Sequence, residues 1–151
     1  MKKAALMVGV WLISLTTFAQ SVRVVLLPDT QTYSHKFPGI FRMQTAWIAA
    51  KADSIDFAIH LGDITDHNTD AQWSVAKKAL ALMDGKVSYA FVPGNHDMGV
   101  GTKLADVRNT DLFNKHLPYE KYSRFSSFGG AFETGKMDNT WHQFSGGGHK
   151  W

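Results

Sequence analysis

The sequence predicts an α/β fold of alternating strands and helices, with its functional residues gathered at the carboxyl ends of the strands. Three observations predict it. Three short apolar runs, Arg23-Val24-Val25-Leu26-Leu27, Phe57-Ala58-Ile59-His60-Leu61 and Tyr89-Ala90-Phe91-Val92, each break off at a turn that carries Asp or Asn. Between them lie two segments whose apolar residues recur at helical spacing. The resulting strand, helix, strand, helix, strand order with short turns implies parallel pairing and right-handed crossovers, and in such a sheet ligands collect beyond the carboxyl ends of the strands.

Each element has its own signal. The first strand stops at Pro28-Asp29-Thr30-Gln31, and a loop containing Tyr33, Ser34, His35, Pro38 and Gly39 leads to a helix over 40–52. Phe41, Gln44, Trp47, Ile48 and Ala52 share one face of that helix. The second strand ends at Gly62-Asp63, and a second helix covers 70–83. Thr69 with Gln72 makes its capping box, Trp73, Ala76, Leu80 and Met83 its buried stripe, and Asp84-Gly85 its stop. The third strand reaches Pro93. A third helix over 110–117 is stopped by Pro118. The remainder, rich in Gly, Ser and aromatics, reads as loops and short strands. His142, between Trp141 and Phe144, falls in a half-buried strand, while Gly146-Gly147-Gly148 turns into a strand opened by His149-Lys150-Trp151.

The 151 residues, 44% apolar, suit one domain with a packed core. Residues 1–19 read as a secretory signal peptide: Met1-Lys2-Lys3 is positive, Ala4 to Leu15 is almost wholly apolar, and Thr17-Phe18-Ala19 ends in a small residue. The apolar stretch is short for a membrane span, so the expected product is an exported domain over 20–151, periplasmic or extracellular in a bacterium, with no membrane anchor after cleavage. Without Lys2 and Lys3 the balance is 14 basic to 13 acidic residues, which leaves the basic character to the leader. No Lys/Arg run in the domain exceeds Lys77-Lys78, so no nucleic-acid face is predicted. Cysteine is absent, which excludes disulfides, thiolate metal sites and a cysteine nucleophile.

The chemistry-bearing residues sit on the three turns. Gly94-Asn95-His96-Asp97 puts an amide oxygen, an imidazole and a carboxylate on one tight turn, the kit of a metal-assisted hydrolytic site. Asp29 and Gln31 are two apart, so in extended backbone they point to one side and can grip an ion together. Asp63 follows a glycine that lets the chain turn sharply and bring the carboxylate close to neighbouring donors. Asp66 suits either a direct ligand or a carboxylate behind the ligands, and His60 reads as a buried, hydrogen-bonded histidine. His35 and His67 lie in loops beside the turns, within reach of a substrate, and His116 belongs to no motif.

Asp29-Thr30-Gln31, Gly62-Asp63-Ile64-Thr65-Asp66 and Gly94-Asn95-His96-Asp97 together resemble the first three motifs of the calcineurin-like metallophosphoesterase superfamily, in order and at similar separations. The resemblance implies the N-terminal half of a metallophosphoesterase-type α/β sandwich. It implies two divalent or trivalent metal ions (Mn, Fe, Zn or Mg), with Asp29 on the first, Asp63 bridging and Asn95 on the second. His96 then assists the leaving group, Asp97 orients it, and hydroxide attacks the phosphorus of a phosphorylated small-molecule or macromolecular substrate. Two departures stand out. Gln31 replaces the usual histidine of the first motif, which leaves metal identity open because imidazole and amide oxygen favour different ions. The further histidine ligands that family members carry downstream are absent before Trp151, and Gly148-His149-Lys150-Trp151 only begins like a Gly-His-x-His ending. The ligand set within the chain is thus expected to be partial, and the chain inactive alone. The competing expectation is a truncated or decayed, non-catalytic exported binding or structural domain.

Overall fold

The computed structural model describes residues 21–100, 103–104 and 107–151. The expected signal peptide lies outside the described residues. Strands β1 (Val24–Leu27), β2 (Phe57–His60) and β3 (Tyr89–Phe91) form a parallel sheet in the order β1-β2-β3. Leu27 pairs with His60 and His60 with Phe91, so the three strands end level. The turns that follow therefore emerge side by side along one edge, as the sequence predicts.

One face of the sheet is covered by helices. After a short helix α1 (Gln31–His35) come α2 (Pro38–Ala50) and α3 (Asp70–Leu80). Their inward residues Phe41, Ile48, Trp73, Ala76 and Leu80 pack on Leu27, Ala58, Tyr89 and Phe91, with Met83 following in a tight turn after α3. Helices α4 (Asp111–His116) and α5 (Tyr119–Tyr122) close this core with Phe113, Leu117 and Tyr122. Phe91 sits edge-on to both Phe113 and Tyr122, the arrangement aromatic quadrupoles favour.

Three expectations need correction. The segment from Gln31 is the helix α1 and not a loop, with Asp29 Oδ1 accepting from the N–H of its first residue, Gln31. Trp47 is 56% exposed, and the buried side of α2 runs through Phe41, Thr45, Ile48 and Ala49. The capping box at α3 is half formed: the Thr69 hydroxyl accepts from Gln72 N–H, but the Gln72 side chain reaches elsewhere.

The opposite face of the sheet carries Leu26, Leu61 and Val92, all exposed, with Leu26 at 56%. Among the described residues its Phe57 end is covered by Phe144, stacked at 4.5 Å, and by the tilted His142 ring at 6.0 Å. The two-residue strands β4 (Gly99–Val100) and β5 (Lys103–Leu104) pair antiparallel, as do β6 (Phe128–Ala131) and β7 (Thr140–His142). A last hairpin, β8 (Ser145–Gly146) with β9 (His149–Lys150), turns through Gly147 and Gly148, whose φ angles of 58° and 76° suit glycine. His142 does lie in a half-buried strand and His149 does open one. No helix among the described residues is long and apolar enough to cross a membrane.

Candidate metal centre

The first two turns are joined by His60. Its Nδ1 accepts from Gly62 N–H (3.2 Å), which leaves the ring proton on Nε2, facing the Thr30 hydroxyl at 3.0 Å. The hydroxyl in turn donates to the Ile64 carbonyl (3.2 Å), and Thr30 N–H donates to the Asp63 carbonyl (3.1 Å). Burial lowers the His60 pKa to about 4, so the ring stays neutral and holds backbone. His60 is thus the buried, hydrogen-bonded histidine that the sequence suggests.

Two glycines let the second and third turns touch. Gly62 has φ 95°, and a Cβ there would lie 2.7 Å from Gly94 N. At Gly94 a Cβ would lie 2.1 Å from Asp63 Oδ1, so the constraint there is closeness and not φ. Asp63 itself adopts φ 49°, a left-handed conformation that Asp tolerates better than most residues. In this arrangement Asp63 Oδ1 accepts from His96 N–H at 2.9 Å, which ties the aspartate to the turn bearing Asn95.

Asp97 locks that turn and does not touch the His96 ring. One of its oxygens accepts from Ile64 N–H (2.9 Å) and Gly94 N–H (3.0 Å), the other from Thr65 N–H (2.8 Å) and the Thr65 hydroxyl (2.9 Å). Burial pushes its pKa up, and these four donors pull against that push. The expected orienting role therefore passes to Asp66: its carbonyl lies 2.8 Å and its Oδ1 3.6 Å from His96 Nδ1. With Nδ1 held there, Nε2 makes no hydrogen bond among the described residues.

At the first turn the backbone is not extended. Gln31 N–H and Nε2–H donate to Asp29 Oδ1 (2.8 Å) and Oδ2 (2.6 Å), so the two side chains grip each other where a shared ion was expected. Asp29 and Asn95 are exposed and Asp63 is partly so. Among the described residues the Asn95 amide makes no hydrogen bond, and Asp63 uses only Oδ1. This set of carboxylate and amide oxygens fits hard or borderline cations such as Mg, Mn, Fe or Zn.

Sequence reasoning missed one convergence. His35 Nδ1 and His67 Nε2 both approach Asp66 Oδ2, at 2.8 Å and 3.4 Å, and the two rings meet edge to face with centroids 5.0 Å apart. His35 ends α1 and His67 follows Asp66, so no sequence spacing signals their meeting. The order of the motif turns does, because both histidines flank them. His116 lies apart, paired with Asp70 at 2.6 Å and stacked on Trp73.

Comparison with known proteins agrees with this geometry. Residues 22–149 match the family described as calcineurin-like phosphoesterase. The chain is also 32% identical over 116 residues to the uncharacterized protein YvnB of Bacillus subtilis (strain 168). That alignment covers 74% of this chain but 9% of the relative, so the chain spans a small part of the protein it resembles. No solved structure matches it. With the family matched over most of its length and the three motif turns bonded into one edge, the chain belongs to the calcineurin-like phosphoesterase family.

Proposed function

We propose that the protein hydrolyses phosphate esters at a binuclear metal centre for which Asp29, Asp63 and Asn95 supply oxygen ligands. One observation carries the reading: Asp63 Oδ1 accepts from the His96 backbone N–H at 2.9 Å, which ties the aspartate to the turn that bears Asn95 and His96. Gln31 holds Asp29 in place through its backbone N–H and side-chain Nε2–H. When bound, the cations acidify a water and offset charge on the phosphoryl oxygens. His96, held through Nδ1–H by the Asp66 carbonyl, presents Nε2 to the leaving oxygen and, as the imidazolium, donates a proton there and is left as the neutral Nδ1–H ring. Asp97 keeps the turn closed and positions His96 through the backbone. The site faces phosphorylated molecules outside the cytoplasm if residues 1–19 act as an export signal.

The test is turnover of activated aryl phosphate mono- and diesters by the metal-loaded full-length protein, with whatever chain follows Trp151, before and after chelation. His96→Ala is expected to keep its metal and lose about 10²- to 10⁴-fold in rate. Wild-type turnover in that variant would contradict the role of His96, and no metal-dependent turnover on any ester would contradict the reading. A second reading, an exported binding domain without turnover, draws on the exposed Leu26, Leu61 and Val92. An open reading frame past Trp151 that supplies a Gly-His-x-His segment favours the enzyme. A stop codon there, together with a silent ester panel, favours the binding domain.

A further inference from the structure

We propose that His35, Asp66 and His67 form a separate site for a single Zn²⁺ ion, beside the carboxylate and amide oxygens of the proposed catalytic centre. Their donor atoms all lie within 4.8 Å of one another. His35 Nδ1 and His67 Nε2 converge on the same oxygen, Asp66 Oδ2, at 2.8 Å and 3.4 Å. Around a tetrahedral zinc with bonds of about 2.0–2.1 Å, neighbouring ligand atoms stand roughly 3.3 Å apart. The two separations from Asp66 Oδ2 bracket that spacing, and the two histidine nitrogens lie within 4.8 Å of each other.

Hydrogen bonding alone accounts for less of this arrangement. His35 Nδ1 bonds Asp66 Oδ2, but the His67 ring aims Nε2 at that oxygen without forming a hydrogen bond to it among the described residues. The loop carrying Asp66 and His67 is also held from below. Gln72 Oε1, buried, accepts from both Asp66 N–H (3.0 Å) and His67 N–H (2.8 Å). Asn68, at φ 49°, donates to the Gly99 carbonyl (2.7 Å) and accepts from Trp73 Nε1 (2.7 Å). Buried amides thus fix a solvent-facing Asp-His pair in place before any ligand arrives, the preorganisation that metal sites require.

The donor chemistry selects the ion. Two imidazoles with one carboxylate suit zinc and its borderline neighbours, whereas magnesium and calcium prefer oxygen. Both rings are part-exposed, so an ion enters from solvent and a water completes its coordination. Occupancy also has a consequence for the neighbouring site. Asp66 faces His96 with its carbonyl and Oδ1, so an ion on Oδ2 clamps the residue that holds the His96 ring.

The test is zinc binding by competition with a chromophoric chelator, on the whole protein and three variants. Asp63→Asn removes a ligand of the catalytic centre yet keeps the acceptor for His96 N–H. It is expected to retain one zinc equivalent, and adding His35→Ala and His67→Ala is expected to weaken that equivalent at least 100-fold. The double histidine variant alone loses the same equivalent. Cobalt gives an independent reading: low-coordinate visible bands in Asp63→Asn that vanish with the histidines. An Asp63→Asn protein that binds no zinc, or whose residual zinc and cobalt bands survive loss of both histidines, would overturn the proposal and leave the phosphoesterase reading intact. Zinc binding that ignores Asp63→Asn and disappears entirely with the histidines would support this site and count against the catalytic centre.

Discussion

Asp97 and His96 are neighbours in sequence, yet their side chains serve different loops. In the tight helical turn that carries them, adjacent side chains diverge, so Asp97 turns inward to four donors while the His96 ring reaches Asp66, thirty residues back. Adjacency made Asp97 look like the orienting carboxylate, and only the tertiary contact reveals Asp66. Asp97→Asn replaces one acceptor oxygen with a donor and leaves at least one buried N–H unpaired, a cost of about 2 kcal/mol. Urea unfolding is expected to show that loss; an unchanged midpoint would contradict the bonding described. His60 acts in the other direction on pH. The native ring resists protonation down to about 4, against 6.5 for the free side chain, so between these values the unfolded chain binds more protons. Stability is therefore expected to fall as pH drops through this window, by on the order of 3 kcal/mol from this group. His60→Gln should lack that part of the acid-side decline in urea titrations above and below 6.5.

At the scale of elements, the strands and the two long helices were legible because burial follows period. Trp73, Ala76, Leu80 and Met83 read as a stripe and are one. Trp47 did not follow the rule, since an apolar residue at the edge of a helical stripe can as easily line an open groove. The helix α1 was hidden for a different reason: the spacing of Asp29 and Gln31 fits an extended grip on an ion and equally fits an aspartate capping the next helical turn. Nothing in the local sequence separates the two. The glycines were read for turning, whereas Gly94 is needed for contact, with its missing Cβ occupied by Asp63. Gly94→Ala is expected to push Asp63 away, costing roughly 1–3 kcal/mol in overpacking and lowering metal affinity together. Thermal unfolding with a parallel metal titration checks both; a variant with native stability and affinity would show that the turns can separate freely.

At the scale of the whole molecule, three strands that end level convert distant motifs into one edge. This is why the family and the gathering of the motif turns could be read from sequence, while the bonding among those turns could not. Motif positions follow from topology, but Gln31 on Asp29, Asp97 on the second turn and the histidines on Asp66 depend on side-chain directions that no spacing encodes. The uneven sheet, helix-covered on one face and exposed at Leu26, Leu61 and Val92 on the other, likewise emerges only in three dimensions. In the proposed centre Asp63, on the second turn, joins the ion held by Asp29 on the first turn to the ion held by Asn95 on the third. Electron paramagnetic resonance of the manganese-loaded protein tests it most directly. A bridged pair gives the multiline spectrum of exchange-coupled manganese, lost in Asp63→Asn; the six-line signal of isolated manganese, unchanged by that substitution, would contradict the bridge.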